Sequence, residues 1–435
     1  MKPVDPNHIV RKIPYIGGET PSGTILEMIY RPEKLETAFA IFEKGKVRYE
    51  PMFRGGPSEA FVPFSAQNNL IRNGIILISS ATEEYGTTSA LVDEVRSFIH
   101  QYVTVSPLFE MIAAHYVLLT WIYEGFGTLP YLRVRGDFGS GKTRFLKVIG
   151  SLCFRAIFAG TTTVSPLFRM LNVFRGTLVV DEGDFRVSDE KAELSKVLNN
   201  GNAKGFPVLR SEQVGSGKEF NPVAYDVFGP KVLATRGYYQ DAALESRFIT
   251  EDMTKHRPRD GTPVHLPNSF PKEAEHLRNK LLLFRFRNLN QYSVTEVTDS
   301  RLEPRLSQIF APLLAIVADE RDRQSIVDLI CDYSKELALD RSIDIESRIV
   351  EVIKELWKGE ALALKEVTVR LNEKCADEFQ EVVSGKRVGF VVRKLLGVRT
   401  RKRSGVFEIL PTEQSRIEVL FRRFGLPEET SKVTL

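Results

Sequence analysis

An eight-residue stretch has the residue types and the spacing that bind a triphosphate. It consists of Gly136, Asp137, Phe138, Gly139, Ser140, Gly141, Lys142 and Thr143. Glycines let the backbone wrap closely around phosphate oxygens, so that successive N–H groups and the N-terminus of the next helix face the negative charge. The Lys142 ammonium is expected to reach the β- and γ-phosphates, and the Thr143 hydroxyl to bind Mg²⁺. The stretch predicts ATP and Mg²⁺ as cofactors; the alternative is a chance match in a glycine-rich turn.

Two adjacent carboxylates follow an apolar segment 39 residues after the lysine (181 minus 142). Asp181 is expected to contact the Mg²⁺ shell, while Glu182 turns toward the γ-phosphate and polarises the attacking water. In isolation the pair would be interpreted as two solvated acids at the end of a strand. Its distance from the glycine-rich stretch favours the metal and base roles.

Three polar residues farther along the chain have types suited to the same reaction. Thr235, or less favourably Arg236, ends another apolar segment and is expected to orient the water. Arg247 is expected to reach the γ-phosphate of a neighbouring subunit, where an arginine stabilises transition-state charge. Arg305 begins a later helix and is expected to sense the same phosphate, with Arg301 as a competitor. The alternative for Arg247 is a surface salt bridge.

Taken in order, these motifs resemble those of the AAA+ ATPases over roughly residues 105 to 345. Within that class they are most similar to the superfamily 3 and minichromosome-maintenance-like replicative helicases of viruses, phages, plasmids and mobile elements. Ser246, Arg247 and Phe248 are similar to the arginine-finger motif of the latter group. The resemblance implies a homo-oligomeric ring, possibly of six subunits. The chain departs from it at Thr235 and Arg236, where these helicases commonly carry asparagine.

The resemblance also implies a β-hairpin that enters the central pore of the ring. The candidate hairpin runs through residues 205–210, turns at residues 215–218 and returns through residues 220–227. Arg210 and Lys218 are then expected to contact DNA phosphates. The alternative is a connecting ribbon with a solvated lysine.

Residues 386–403 are strongly basic and contain no acid. Their eight cations are Lys386, Arg387, Arg393, Lys394, Arg399, Arg401, Lys402 and Arg403. Val388, Val391, Val392, Leu395 and Leu396 are spaced to form the buried stripe of one helix, which leaves the cations near water. A helix followed by a wing is a common way to present cations to duplex phosphates. The segment predicts DNA as a partner; the alternative is a solvated basic face.

The elements that must position these residues fall into four predicted domains. Residues 1–95 carry short β-type runs and predict a β-rich adaptor domain, and residues 96–271 alternate strand and helix patterns. Residues 272–345 are mainly helical and predict a lid, and residues 346–435 predict a winged helix. The fold class is therefore α/β, with a P-loop AAA+ core, a helical lid, a β-rich N-terminal domain and a C-terminal winged helix.

Bulk composition narrows the remaining possibilities. The 435 residues are 43% hydrophobic and 27% charged, which argues against a disordered or collagen-like chain. The three cysteines and six histidines show no ligand or redox spacing, so a zinc centre is not expected. The N-terminus lacks a signal-peptide pattern, and no apolar run approaches the ~18 residues of a membrane span. We expect a cytoplasmic protein without a membrane partner.

The sequence therefore favours an ATP-dependent DNA helicase or translocase that acts as a ring in replication of a mobile element. A first alternative retains the ATPase but makes it an initiator, a loader or a DNA-remodelling enzyme that does not unwind. A second alternative is a DNA-binding regulator whose nucleotide is only a conformational signal. Glu182 argues against the second, because a switch that does not hydrolyse ATP needs no base.

Overall fold

A computed structural model describes most of the chain. The described residues are 11–56, 58–159, 164–181, 189–213, 220–237, 239, 241–255, 258–292, 301–302, 304–342, 345–375, 382–403 and 405–426. The chain divides into two compact units, Met1–Ile330 and Cys331–Leu435. No helix among the described residues is both long enough and apolar enough to cross a membrane.

The N-terminal part of the first unit forms two small sheets. Its strands are β1 Arg11–Pro14, β2 Gly17–Glu19, β3 Ile25–Arg31, β4 Glu36–Glu43, β5 Lys46–Glu50, β6 Phe53–Arg54 and β7 Glu59–Val62, and a short helix α1 Asn69–Arg72 follows. Strands β2 to β5 form an antiparallel meander, and β1, β7 and β6 form the second sheet. The meander arises because β-type apolar runs alternate with short turns, which contain Gly23, Pro32 and Gly45.

Two helices lead from these sheets to the central domain. They are α2 Thr88–Tyr102 and α3 Pro107–Ile122. The side chains of Thr87 and Ser106 cap their N-termini by accepting hydrogen bonds from backbone N–H groups in the first turn. Helix α3 is buried on all sides because nearly every residue in it is apolar.

The central domain is a five-stranded parallel sheet flanked by helices. Its strands are β8 Tyr131–Arg135, β9 Ile157–Ala159, β10 Leu178–Val180, β13 Lys231–Thr235 and β14 Phe248–Asp252, and its helices are α4 Lys142–Gly150, α5 Val164–Phe174, α6 Asp189–Asn200 and α7 Ala242–Glu245. The order across the sheet is β14-β8-β13-β10-β9, and every pair is parallel. This architecture confirms the α/β P-loop core that the sequence predicts. Because the strands are parallel, their carboxyl ends share one edge, where ligands bind in such sheets.

A two-stranded hairpin is inserted before β13. It consists of β11 Val208–Gln213 and β12 Phe220–Tyr225, paired antiparallel. The described strands agree with the predicted hairpin, whereas its tip lies outside the described residues.

The N-terminal sheets share a core with the central sheet. Leu26 and Phe39 of these sheets pack into the same cluster of buried side chains as Ile157 and Leu178 of the central sheet. An isolated bridge pairs Ile76 with Ile157. The division into compact units accordingly falls at residue 330 rather than at residue 95, because apolar burial joins the first two predicted domains.

Three helices follow the central domain. Helices α8 Phe270–Asn288 and α9 Pro304–Ile316 both pack against α3, and α10 Glu320–Ser342 continues into the second unit. Arg285 of α8 is fully buried and donates to the Glu27 carboxylate at 2.7 Å. This ion pair fastens the N-terminal meander to the helices.

The second unit combines helices with a small antiparallel sheet. It contains α11 Ile345–Leu356, β15 Leu362–Ala363, α12 Leu364–Lys374, α13 Gly385–Phe390, β16 Thr400–Arg403, β17 Val406–Ile409 and α14 Gln414–Arg423, with sheet order β15-β17-β16. A π-helical turn, Val391–Leu395, extends α13.

The π-helical turn changes which residues of the predicted helix are buried. Leu395 was expected in the buried stripe but is 47% exposed, whereas Leu396 is buried. The Leu396 N–H donates to the Val391 carbonyl five residues back, at 2.9 Å. A π-turn adds a residue to the helical repeat, so Leu395 rotates off the stripe.

Candidate active site

The glycine-rich stretch lies at the carboxyl edge of the central sheet. Strand β8 leads into it at Gly136, and α4 begins at Lys142. Gly139 and Gly141 have φ angles of 81° and 93°, in the left-handed region that glycine adopts without strain. A Cβ atom at Gly136 would lie 2.6 Å from the Ser140 hydroxyl oxygen. A side chain would therefore strain the backbone at Gly139 or Gly141 and collide with Ser140 at Gly136.

The loop follows β8, and one of its functional side chains contacts the end of β10, which is separated from β8 by β13. Lys142 Nζ donates to the carbonyl oxygens of Gly136 and Asp137 at 2.6 and 2.7 Å. Thr143 Oγ1 donates to Asp181 Oδ2 at 2.7 Å, although 38 residues separate them. Asp181 directly follows β10, so the fold joins the two motifs that the sequence predicts as one site.

The adjoining cavity has the size and the charge expected for a polyphosphate. Its volume is about 340 Å³, and it is lined by Phe138, Gly139, Ser140, Gly141, Lys142, Thr143, Arg144, Asp181 and Arg236. Phe138 is 95% exposed at the loop apex. Hydroxyl and carboxylate oxygens are the ligands that Mg²⁺ combines with phosphate oxygens, so Thr143 and Asp181 fit that ion. Glu182 lies outside the described residues.

The structure distinguishes the two residues predicted to orient water. Thr235 is 1% exposed and its hydroxyl donates to the Gly237 carbonyl oxygen at 3.0 Å. Arg236 lines the phosphate cavity, and Thr235 does not. The difference arises because β13 ends at Thr235, whose side chain turns back onto its own chain. Arg236 is therefore better placed than Thr235 for the predicted contact.

A second, more apolar pocket adjoins the loop. It measures about 450 Å³ and is lined by Tyr102, Val103, Thr104, Gly139, Ser140, Gly141, Arg144, Met253, Pro258, Thr262, Pro263 and Val264. The loop residues 139–141 and Arg144 line both cavities. Such a pocket suits the planar, largely apolar base of a nucleotide.

Arg247 lies at the opposite edge of the sheet from the loop. Arg247 directly precedes β14, where Phe248 pairs with Tyr131 and Asp252 with Arg135. At the rise of a parallel strand, about 16 Å therefore separates Arg247 from the carboxyl end of β14. The Arg247 guanidinium donates to Asn199 Oδ1 of its own chain. Burial, and less strongly the charge of Arg305, lowers the pKa of Arg247. An arginine so placed cannot reach the phosphate cavity of its own subunit.

Arg305 also lies at that opposite edge. Its Nη2 donates to the Ala243 carbonyl oxygen of α7 at 3.0 Å, because α9 begins beside α7. That Arg305 senses the same γ-phosphate as Arg247 stays a prediction. The competitor Arg301 pairs with Asp328 at 2.8 Å. Two cations, Arg247 and Arg305, thus share one surface.

A buried ion pair that the sequence analysis missed positions this surface. Arg133 of β8 is fully buried, and its Nη1 donates to Glu245 Oε2 at 2.8 Å. Glu245 also accepts a hydrogen bond from the Tyr239 backbone at 2.9 Å. The sequence signal was an arginine between the apolar residues Leu132 and Val134 of β8. The pair ties the strand before the phosphate loop to the segment that carries Arg247.

Replacing Arg133 by methionine is expected to lower the free energy of unfolding by about 3–5 kcal/mol, because Glu245 is left buried without its partner. Urea denaturation measures the change. The matched control is Arg48→Met, whose pair with Glu43 is exposed and should contribute less than about 1 kcal/mol. An equal decrease in the free energy of unfolding in both variants would show that the buried pair stabilises the fold no more than the exposed pair does.

Of the two predicted DNA contacts of the hairpin, Arg210 belongs to the described residues. The Arg210 guanidinium lies over the Phe168 ring, 4.8 Å from its centroid, and is only partly exposed. Lys218 lies outside the described residues. Phe206 and Leu209 beside Arg210 are exposed apolar side chains.

All eight cations of the basic segment in the second unit are exposed. Lys386 and Arg387 lie on α13, Arg393 and Lys394 on the π-turn, and Arg401, Lys402 and Arg403 on β16, with Arg399 just before it. Arg393 and Lys402 both lie over the Phe407 ring, at 4.7 and 5.8 Å. The π-turn and strand β16 therefore bring cations together around the Phe407 ring.

No protein-family model matches the chain, and no curated protein matches it. Among solved structures it is similar to the apo C-terminal region of NrS-1, with a TM-score of 0.35 and 11% identity over 88% of this chain and 96% of that one. The active helicase Cch of SCCmec type IV gives 0.40 and 13% over 94% and 80%. The Aeropyrum pernix ORC1 protein in complex with DNA gives 0.22 and 15% over 74% and 93%. TM-scores this low do not indicate a function. The function is therefore proposed from the residues of this chain.

Proposed function

We propose that this chain binds and hydrolyses ATP at the carboxyl edge of its parallel sheet. The observation that carries the proposal is the hydrogen bond between Thr143 and Asp181, because it joins the phosphate loop to the acidic strand end. Lys142 neutralises the β- and γ-phosphates, and Thr143 and Asp181 hold Mg²⁺. The metal, when bound, offsets the charge that develops on the transferred phosphoryl group.

Glu182 is the proposed base, and the adjoining apolar pocket is the proposed site of the adenine ring. Glu182 follows the metal-binding Asp181 by one residue, so the end of one strand supplies both carboxylates. The apolar pocket shares residues 139–141 with the phosphate cavity. A single nucleotide can therefore occupy both, with its phosphates in one cavity and its base in the other.

Hydrolysis is proposed to need a second copy of the chain. Arg247 and Arg305 lie together at the sheet edge remote from their own phosphate loop. Two like charges held close together favour an anion between them. The triphosphate of a neighbouring subunit is that anion, as in a closed ring whose interfaces repeat head to tail.

DNA is the polymer along which this protein is proposed to move. Unit Cys331–Leu435 has the element order of a winged helix, α11-β15-α12-α13-β16-β17, and its helix and wing carry the eight exposed cations. Cations on such a surface neutralise phosphates and release counterions. Arg210 and Lys218 of the hairpin are the proposed contacts in the pore.

Affinity for duplex DNA is expected to fall steeply with salt, with a log–log slope near −0.9 for each neutralised phosphate. Replacing Arg401, Lys402 and Arg403 by alanine should reduce the magnitude of the slope by about 0.9 for each phosphate contact that is lost. Fluorescence anisotropy over a salt series measures it. The matched control is Arg422→Ala, an exposed cation on α14 of the same unit. An unchanged slope in the triple variant would exclude the wing as the contact surface.

We propose, as the resemblance of the motifs implied, that a ring of these subunits translocates on DNA or unwinds it during replication of a mobile element. The test is ATP turnover and strand separation on a forked substrate, with electron microscopy of the ring on the same DNA. ATPase activity that DNA does not stimulate, without strand separation, would contradict the helicase. DNA-stimulated ATPase without strand separation, unchanged by Lys218→Ala, would favour an initiator or loader.

A further inference from the structure

Arg144 connects the phosphate cavity to the apolar pocket beside it. It follows Thr143 on α4 and is the only described residue outside the glycine-rich stretch that lines both cavities. The phosphate-binding motif ends at Thr143, so the motif itself assigns Arg144 no role.

The Arg144 side chain holds a short segment against α4. This segment, residues 258–264, is called the strap, and four of its residues form one wall of the apolar pocket. Arg144 Nη1 donates to the Pro263 carbonyl oxygen at 2.8 Å, and Nη2 donates to that of Val264. Nη1 also approaches the Tyr102 carbonyl oxygen at the end of α2, at 3.4 Å. One planar guanidinium thus joins α4, α2 and the strap.

A second arginine fastens the other end of the strap. The Arg259 backbone N–H donates to Thr104 Oγ1 at 3.1 Å, and its Nη2 donates to the Val103 carbonyl oxygen at 3.0 Å. Val103 and Thr104 line the same pocket. Hydrogen bonds therefore attach both ends of the strap to elements of the pocket wall. The side chain of Val264, at the end that Arg144 contacts, is 83% exposed.

We propose that Arg144 is a positioning residue that sets the strap against the nucleotide base, so that the site prefers a nucleotide over a triphosphate without a base. The inference rests on the proposed ATP site. A fixed guanidinium fork makes several charge-assisted hydrogen bonds that a lysine ammonium cannot reproduce. With the fork removed, the strap loses its attachment to α4. The base then loses an ordered wall, while the phosphates keep Lys142 and the loop.

The test is calorimetric titration of the full chain with ATP and with inorganic triphosphate. Arg144→Gln should weaken ATP binding by about tenfold and change triphosphate binding by less than about twofold, since only the first ligand touches the strap. Arg144→Lys retains the charge and should show the same selective loss. Arg259→Gln, at the other end of the strap, should also affect ATP alone. Lys147→Gln, an exposed cation on α4 that lines neither cavity, should change neither affinity.

Other outcomes overturn the inference and separate it from the proposed function. If Arg144→Gln weakens both ligands equally and Arg144→Lys restores both, Arg144 acts on the phosphates. If the unaltered chain binds triphosphate and ATP equally well, the apolar pocket does not bind the base, and only the proposed phosphate site is supported. If the unaltered chain binds neither ligand, the proposed function fails together with the inference.

Discussion

Replacing Arg247 by alanine is expected to lower kcat for ATP hydrolysis by about 10³- to 10⁵-fold, with little change in ATP affinity. Arg247 lies at the sheet edge remote from its own phosphate loop, so it makes no contact with the nucleotide that its own subunit binds. In the proposed ring its charge acts only on the transition state in a neighbouring site. Steady-state turnover and equilibrium ATP binding together separate the two effects.

The control for this variant is Arg301→Ala, an exposed arginine whose partner is Asp328. It should retain nearly full turnover, because exposed pairs contribute little. Arg305→Ala should resemble Arg247→Ala in direction, since the two cations share one surface. Full turnover in Arg247→Ala would show that each subunit hydrolyses ATP without its neighbour.

Replacing Lys142 by methionine is expected to lower kcat/KM for ATP by at least about 10³-fold, because the β- and γ-phosphates lose the cation that offsets their charge. The fold should be retained. Among the described residues, the hydrogen bonds of the ammonium go to the Gly136 and Asp137 carbonyl oxygens of the loop, where water can replace it. ATP turnover and thermal melting of the same preparation measure both expectations.

Asp181→Asn is the informative companion to this variant. The amide oxygen can still accept the Thr143 hydrogen bond, but the charge that holds Mg²⁺ is removed. We expect weakened Mg²⁺ dependence with ATP binding largely retained, unlike Lys142→Met. Normal turnover in Lys142→Met would place ATP hydrolysis elsewhere in the chain.

The local parts of the site were predictable from the sequence, because each follows from a short pattern. Glycines at 136, 139 and 141 between a strand and a helix predict the loop, and an apolar run ending in Asp181 predicts its partner strand. Parallel strands then require the two to meet at one edge. The hydrogen bond between Thr143 and Asp181 is the outcome of that rule.

The parts that depend on packing between distant segments were not predictable. The position of Arg305 beside Arg247 arises from the packing of α9 beside α7, which no sequence pattern predicts. The exposure of Leu395 depends on a single π-turn, which no periodicity in the sequence marks. The Arg133–Glu245 pair and the Arg144 contacts to the strap join residues more than 100 positions apart. Spacing within a motif carries no information about such partners.

The central claim is that each active site is shared between two copies of the chain. The most direct test mixes Lys142→Met and Arg247→Ala subunits, which are each expected to be inactive, in equal amounts and measures ATP turnover. In a randomly mixed ring, about one quarter of the interfaces should combine an intact loop with an intact arginine. We therefore predict that turnover returns to roughly that fraction of the unaltered protein. No activity above that of the separate variants would contradict a shared site.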